Sequence, residues 1–250
     1  MVLVAGLSFL GAPLMAETVT VLSVDFDSLS AGGVTEATLD SATTGGTWAT
    51  NTYSGGGQVL EHTIENDGGA GSEKALFSNF PSTGGSDNPA SMWVHRVDLD
   101  TAIDIDVTGF EFEFEVAQRA GTGFSRPVTW SLNDGSTQVL RVQVSGSTLY
   151  VNGNNEGTVD GNPNGGVGSW DSSNTYVWLV EGSSDASGNV DLTFHGTTAT
   201  QTVSVAISST ADINRFEGIM DADQWNGHGL YLNYLTLSYT KQPAAIFMIR

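Results

Sequence analysis

The sequence predicts an all-β protein, a jelly-roll β-sandwich of two antiparallel sheets. Three observations carry that expectation. Apolar and polar residues alternate with a period of two along most of the chain, the spacing that turns one strand face to a core and the other to water. Sustained helical periodicity is absent. Glycine makes up 31 of 250 residues, and the segments between alternating runs are short and rich in Gly, Asn, Asp and Ser, the residues that turns select.

The chain opens on "MVLVAGLSFLGAPLMAETVTV". Val2 to Ala16 is apolar with small residues, and "LMA" closes it before Glu17. Residues 1–16 read as the hydrophobic region and cleavage site of a secretory signal peptide. A basic segment before that region is missing, so the natural start is expected to lie upstream. A run of ~15 apolar residues falls short of the roughly 20 that a membrane helix needs. The mature chain is expected to begin near Glu17, in the secreted, extracellular or cell-surface space.

Strands follow in order. "TVTVLSVDF" (18–26) is the first. "TWATNTY" and "GQVLEHTI" flank "SGGG", which predicts a hairpin, and "KALFSNF" comes next. "SMWVHRVDL" (91–99), "VTGFEFEFEVA" (107–117) and "SRPVTWSL" (125–132) form the middle block. "TQVLRVQV" and "STLYVNG" are joined through "SG", a tight-turn signal. "NTYVWLVE", "NVDLTFHG", "QTVSVAI", "DINRFEGIM" and "GLYLNYLTLSY" complete the pattern. No domain boundary and no fixed-period repeat interrupts it, so residues 17–240 are expected to form a single domain with a tail at 241–250. About a dozen strands in one unit must pack as two sheets or close as a barrel.

Composition excludes several functions. The chain has no cysteine, which rules out disulfides, thiolate chemistry and cysteine zinc sites. Eight Lys and Arg stand against 28 Asp and Glu, a formal net charge of −20. A surface that acidic repels nucleic acid. The four histidines, His62, His95, His195 and His228, show no zinc-binding spacing. No nucleophile elbow or phosphate-binding loop is present.

Four stretches carry a family resemblance: "VDFDSLSAGG", "WSLNDGSTQVLRVQVSGSTLYVNG", "TYVWLVEGSSDASGNVDLTFHG" and "INRFEGIMDADQWNGHGLYLNYLTLSY". They resemble the concanavalin A-like, or laminin-G-like, β-sandwich modules of exported bacterial proteins, many of which end in a PEP-CTERM sorting signal. The resemblance spans most of residues 20–240 and implies fold more than function. The sorting signal itself is not matched, because "QPAAIFMIR" lacks the Pro-Glu-Pro element, a full apolar span and an arginine cluster.

Candidate sites fall into three groups. In "GFEFEFEVAQRAG" (109–121), Glu111, Glu113 and Glu115 share one strand face and Phe110, Phe112 and Phe114 the other. Burying the phenylalanines explains the pattern without any chemistry. The spacing is also similar to the Glu-x-Asp-x-Glu strand of laminarinase-like β-glucanases. That resemblance implies Glu111 as nucleophile and Glu115 as acid/base, with Glu113 in place of the tuning aspartate. Against it, residues i and i+4 of a strand stand ~13 Å apart, whereas a retaining glycosidase holds its carboxyls ~5–5.5 Å apart. Second, "MDADQWNGHG" (220–229) offers Asp221, Asp223 and Asn226 as oxygen ligands for a structural calcium, or simply forms an Asx-rich turn. Weaker sets are Asp160, Asn162, Asn164 and Asp171, and the pair Asp25 and Asp27. Third, Trp170 and Trp225 lie in polar loops and suit the apolar face of a sugar. Trp93, His228 and Arg126 join them as ligand-binding candidates, while Trp130 and Trp178 are expected in the core. Arg96 and Arg126 either pair with a carboxylate or hold an anionic sugar.

Together these features predict a secreted, non-catalytic β-sandwich that binds a polysaccharide or cell-surface glycan, or that serves as a surface or matrix component. No stable membrane span is expected. The alternative is a carbohydrate-active enzyme, a glycoside hydrolase or polysaccharide lyase, with Glu111 and Glu115 lining a concave face.

Overall fold

The structure, a computed structural model, describes residues 17–51, 54–55, 58–66, 74–79, 92–105, 109–119, 127–145, 148–159, 175–184, 188–195, 200–207, 211–220 and 229–241. The elements in chain order are β1 (Glu17–Asp25), β2 (Gly32–Gly33), α1 (Glu36–Asp40), β3 (Thr43–Thr44), β4 (Gly46–Thr50), β5 (Ser54–Gly55) and β6 (Gln58–Val59). Next come β7 (Glu61–Asn66), β8 (Lys74–Asn79), β9 (Met92–Asp104), β10 (Phe110–Arg119), β11 (Val128–Asp134), β12 (Thr137–Ser145) and β13 (Thr148–Val151). The rest are β14 (Asn154–Thr158), β15 (Thr175–Ser184), β16 (Asn189–His195), β17 (Thr200–Ala206), β18 (Asp212–Met220) and β19 (Gly229–Lys241).

Two large antiparallel sheets result, in the jelly-roll form that the alternation predicts. The ten-stranded sheet runs β17-β16-β15-β10-β19-β8-β7-β2, with β1 paired to β19 and β3 paired to β1. The seven-stranded sheet runs β14-β13-β12-β11-β18-β9-β4. Strand β19 organises the larger sheet. Along one flank it pairs with β10 over its whole length. On the other it pairs with β8 through Gly229–Leu232 and with β1 through Tyr234–Lys241.

The core lies between the sheets. Phe110, Phe112, Phe114 and Val116 of β10 are buried to within 4% of complete, and so are Leu232, Leu235 and Leu237 of β19. Phe114 meets Phe216 of the seven-stranded sheet edge-on, with ring centroids 5.6 Å apart, and tilts against Trp130 at 6.3 Å. Burial of each phenylalanine contributes roughly 1.5–3 kcal/mol, and these aromatic contacts join the two layers. Gly182 of β15 sits directly opposite Phe112, where a Cβ would lie 2.1 Å from the ring, so glycine is required by that close approach. Trp130 is buried, as expected; the side chain of Trp178 lies outside the described residues.

The hairpin expected across "SGGG" forms, with Ser54 opposite Val59 and Gly55 opposite Gln58, but it is short and does not extend through the flanking runs. Only the two-residue strands β5 and β6 pair there. Strand β4 joins β9 in the seven-stranded sheet, and β7 joins β8 and β2 in the ten-stranded one. Trp48 and Ile64, both buried, thus serve different layers, and pairing with longer neighbours outweighs extension of the hairpin. Helix α1 was not expected either. Thr35 caps it, its side chain accepting from the Thr38 amide at 3.3 Å, and Asp40 and Glu36 accept from the Trp48 and Thr50 amides of β4.

One buried polar chain bridges the sheets. His62 Nε2 donates to the Asn51 carbonyl at 3.1 Å, which leaves Nδ1 as an acceptor for the Ser78 hydroxyl at 2.8 Å. Ser78 Oγ in turn accepts from His95 Nδ1 at 3.3 Å. This assignment of tautomers leaves the buried His95 Nε2 as an acceptor with no partner. Burial, and then the charge of His62, lowers the His95 pKa from 6.5 to about 3. His62 is lowered too, chiefly by burial, against an opposing pull from its backbone bond and Glu36. Below 6.5 the unfolded histidine takes up a proton that the folded one refuses. The stability linked to neutral His95 is therefore present above pH 6.5 and is lost as pH falls toward 3, a decline on the order of a few kcal/mol. Urea unfolding across that interval is expected to show the midpoint falling, and a His95→Gln variant is expected to flatten the fall relative to the parent.

Candidate functional site

The alternation that buries the phenylalanines turns a polar face of the ten-stranded sheet outward. Register sorts that face into rows across the strands, which lie ~4.8 Å apart. One row reads Ser23, Thr236, Glu113, Glu181, Thr193 and Thr202 from β1 to β17. The row on one side reads Ser238, Glu111, Ser183, Asp191 and Ser204. The row on the other side reads Asp25, Tyr234, Glu115, Leu179, His195 and Thr200.

This face is indented. A depression of about 450 Å³ is lined by Glu111, Phe112, Glu113, Glu181, Gly182, Ser183, Asp191, Thr193, Thr236 and Ser238. A second of about 480 Å³ is lined by Ser23, Val24, Asp25, Asp27, Glu115, Asn233, Tyr234 and Thr236. The two share Thr236, so they form one groove across β16, β15, β10, β19 and β1.

Hydrogen bonds fix its side chains. The Tyr234 hydroxyl donates to Glu113 Oε1 at 2.8 Å. Burial pushes the Tyr234 phenol above its usual range, and the hydrogen bond to Glu113 and the charges of Glu113, Glu115 and Glu181 raise it further. It therefore stays a donor at neutral pH. His195 Nε2 lies 2.6 Å from Glu181 Oε2, both side chains partly exposed. A bulge at Glu115/Val116 leaves Asn233 as the extra residue of β19, and its amide donates to Glu115 Oε1 at 2.7 Å.

The glutamate row divides between the two depressions. Glu111 lines the first depression and Glu115 the second, so they do not meet as a pair. The directly opposed carboxylates are Glu113 and Glu181, on neighbouring strands. Like charges in that position destabilise a strand pair; the tyrosine at one carboxylate and the histidine at the other offset the repulsion. Glu181, His195 and Tyr234 are the residues that the spacing argument missed. Their proximity depends on the β10–β15–β16 register, which no local motif encodes.

Other candidates lie elsewhere. Trp93 is on β9 in the seven-stranded sheet, half-buried, with the Arg96 guanidinium 5.0 Å above its ring. Arg96 also reaches Asp98 at 3.5 Å, which matches the carboxylate-pairing expectation. Asp25 and Asp27 line the second depression, where Asp25 Oδ1 accepts from the Asp27 amide at 2.9 Å. Arg126, Trp170, Trp225, His228, Asp221, Asp223 and Asn226 lie outside the described residues, as do Asp160, Asn162, Asn164 and Asp171. Among the described residues no three His, Asp or Glu side chains are grouped to hold a metal ion, and no helix is long and apolar enough to cross a membrane.

The chain matches no protein-family model, and no curated protein is similar to it in sequence. Solved structures resemble it at a distance. A carbohydrate esterase of the Shiga toxin-encoding bacteriophage phi24B is 12% identical, with a TM-score of 0.49 over 90% of this chain and 100% of that one. The alginate lyase of a Corynebacterium species is 12% identical, with a TM-score of 0.47 over 77% of this chain and 93% of its own. Peanut lectin is 12% identical, with a TM-score of 0.46 over 90% of this chain and 98% of its own. Likeness this distant assigns no activity and no residue role.

Alkaline titration of tyrosine absorbance tests the groove geometry. Tyr234 is expected to contribute a component that ionises above the ordinary tyrosine range. Tyr234→Phe is expected to remove that late component, and Glu113→Gln to shift it toward the ordinary range.

Proposed function

We propose that the chain is an exported, non-catalytic β-sandwich protein that binds a glycan along the outer face of its ten-stranded sheet. One observation carries this reading: a groove spanning five strands, lined mainly by carboxylates, hydroxyls and an amide. Sugars present rows of hydroxyl groups, each both donor and acceptor. A carboxylate accepts two such bonds and an asparagine amide matches both roles. The elongated form of the groove suits a polymer better than a compact metabolite, and concave sites with a few convergent polar groups are where ligands bind. The apolar opening run supports export, and an extracellular or cell-surface glycan is the corresponding partner.

Affinity electrophoresis through gels cast with neutral, acidic and amino polysaccharides tests the reading. Retardation by at least one polymer is expected. Thr236→Trp, placed where the two depressions meet, is expected to weaken that retardation at least tenfold with an unchanged melting temperature. Trp93→Ala, on the opposite sheet, is expected to leave it intact. Free migration through every gel overturns glycan binding.

A second reading, glycoside hydrolysis, draws on the Glu113–Glu181 register. Directly opposed residues have Cβ atoms ~4.5–5.5 Å apart, close to the ~5–5.5 Å that a retaining glycosidase sets between its carboxyls. Under this reading the parent releases reducing ends from a bound polymer and Glu113→Gln or Glu181→Gln abolishes the release. Equal, background-level release by all three proteins dismisses it.

A further inference from the structure

Resting on the reading that this groove binds a glycan, we infer the chemical class of that glycan: a polymer bearing free amino groups, protonated near neutral pH, such as a chain of 2-amino sugars. The groove determines this class by charge and by spacing. Its first depression carries Glu111, Glu113, Glu181 and Asp191, and its second adds three more carboxylates. Among the described residues no lysine or arginine lines either one, and Lys74, beside Asp27 of the second, donates from its ammonium to the Asp27 and Leu29 carbonyls. Uronate and sulfate polymers would bring like charge within a screening length of ~8 Å at physiological ionic strength.

The carboxylates differ in what they still have to offer. Glu113 and Glu181 already hold Tyr234 and His195. Glu111 and Asp191 are exposed and have no hydrogen bond or ion pair among the described residues. They stand in one row with only Ser183 between them. These are free acceptors for a cation delivered from solvent.

Spacing separates a polymer from an ion. The sheet sets the charges ~4.8 Å apart across strands and ~6.7 Å apart along them. They do not converge, and among the described residues no three metal-ligating side chains are grouped. A metal ion gathers its ligands around a single point. Ammonium groups repeated along a polymer can each meet a separate carboxylate. Hydroxyls of Thr193, Ser183, Thr236 and Ser238 lie between the charges, and these supply partners for sugar hydroxyls that a basic peptide would leave unused.

Four probes of matched length test the inference with the whole protein: an N-acetylglucosamine oligomer, its de-N-acetylated form, an oligouronate and oligolysine. Binding is measured by calorimetry at low and physiological salt. The de-N-acetylated oligomer is expected to bind at least tenfold more tightly than the acetylated one, with an advantage that shrinks as salt rises. The oligouronate is expected not to bind. The double substitution Glu111→Gln and Asp191→Asn is expected to narrow the gap between the two amino-sugar oligomers. Equal affinity for those two oligomers overturns the charge class and leaves the glycan reading standing. Failure of every sugar probe, together with free migration through all the polysaccharide gels, overturns both. Oligolysine binding as tightly as the de-N-acetylated oligomer overturns the saccharide specificity, because recognition is then of charge alone.

Discussion

The phenylalanine ladder of β10 is the interaction on which the rest depends. Phe110, Phe112 and Phe114 stack at about 6 Å on one face and lock the strand against Phe216 and Trp130 of the other sheet. Because a strand alternates, the same packing decides what faces water. A slip of one residue would exchange the two faces and bury three glutamates. The register of the groove is therefore enforced from behind, by aromatic burial, rather than by anything in the groove itself.

Polar chemistry is divided among three places with different rules. Inside the sandwich, His62, Ser78 and His95 form a hydrogen-bonded chain whose tautomers are set by their partners. On the outer face of the seven-stranded sheet, Arg96 and Arg215 both reach Asp98, and Arg96 lies over Trp93, so positive charge there is spent on local neighbours. On the outer face of the ten-stranded sheet Glu113, Glu181 and Glu115 meet a tyrosine, a histidine and an asparagine. The chain's net charge of −20 is thus expressed unevenly, and the groove is where charge and indentation coincide.

Alternation made most strands legible, and with them the two-layer fold, because period two is a local property. It also separated the inward phenylalanines from the outward glutamates correctly. Pairing partners were less legible. "TWATNTY" and "GQVLEHTI" flank a convincing turn, yet β4 and β7 belong to different sheets, because the partner of a strand is settled by burial across the whole molecule. The site was half legible for the same reason. Glu113 was visible as one of a row; Glu181, 68 positions further on, becomes its neighbour only through the β10–β15 register. His195 carried no motif at all, and Asn233 depends on a bulge that sequence spacing does not announce.

The place of β19 at the centre of the ten-stranded sheet bears on how the chain reaches its fold. This strand lies near the end of the sequence, yet β10, β8 and β1 all pair with it. Until residues 229–241 have been synthesised, those three strands have edges without their central partner, and the first strand waits for the last. Contacts this distant in sequence slow folding. The blocks β10–β15–β16–β17 and β2–β7–β8 can pair before then, but β19 alone joins them into one sheet. Those edges are templates for mispairing and need shielding in the meantime.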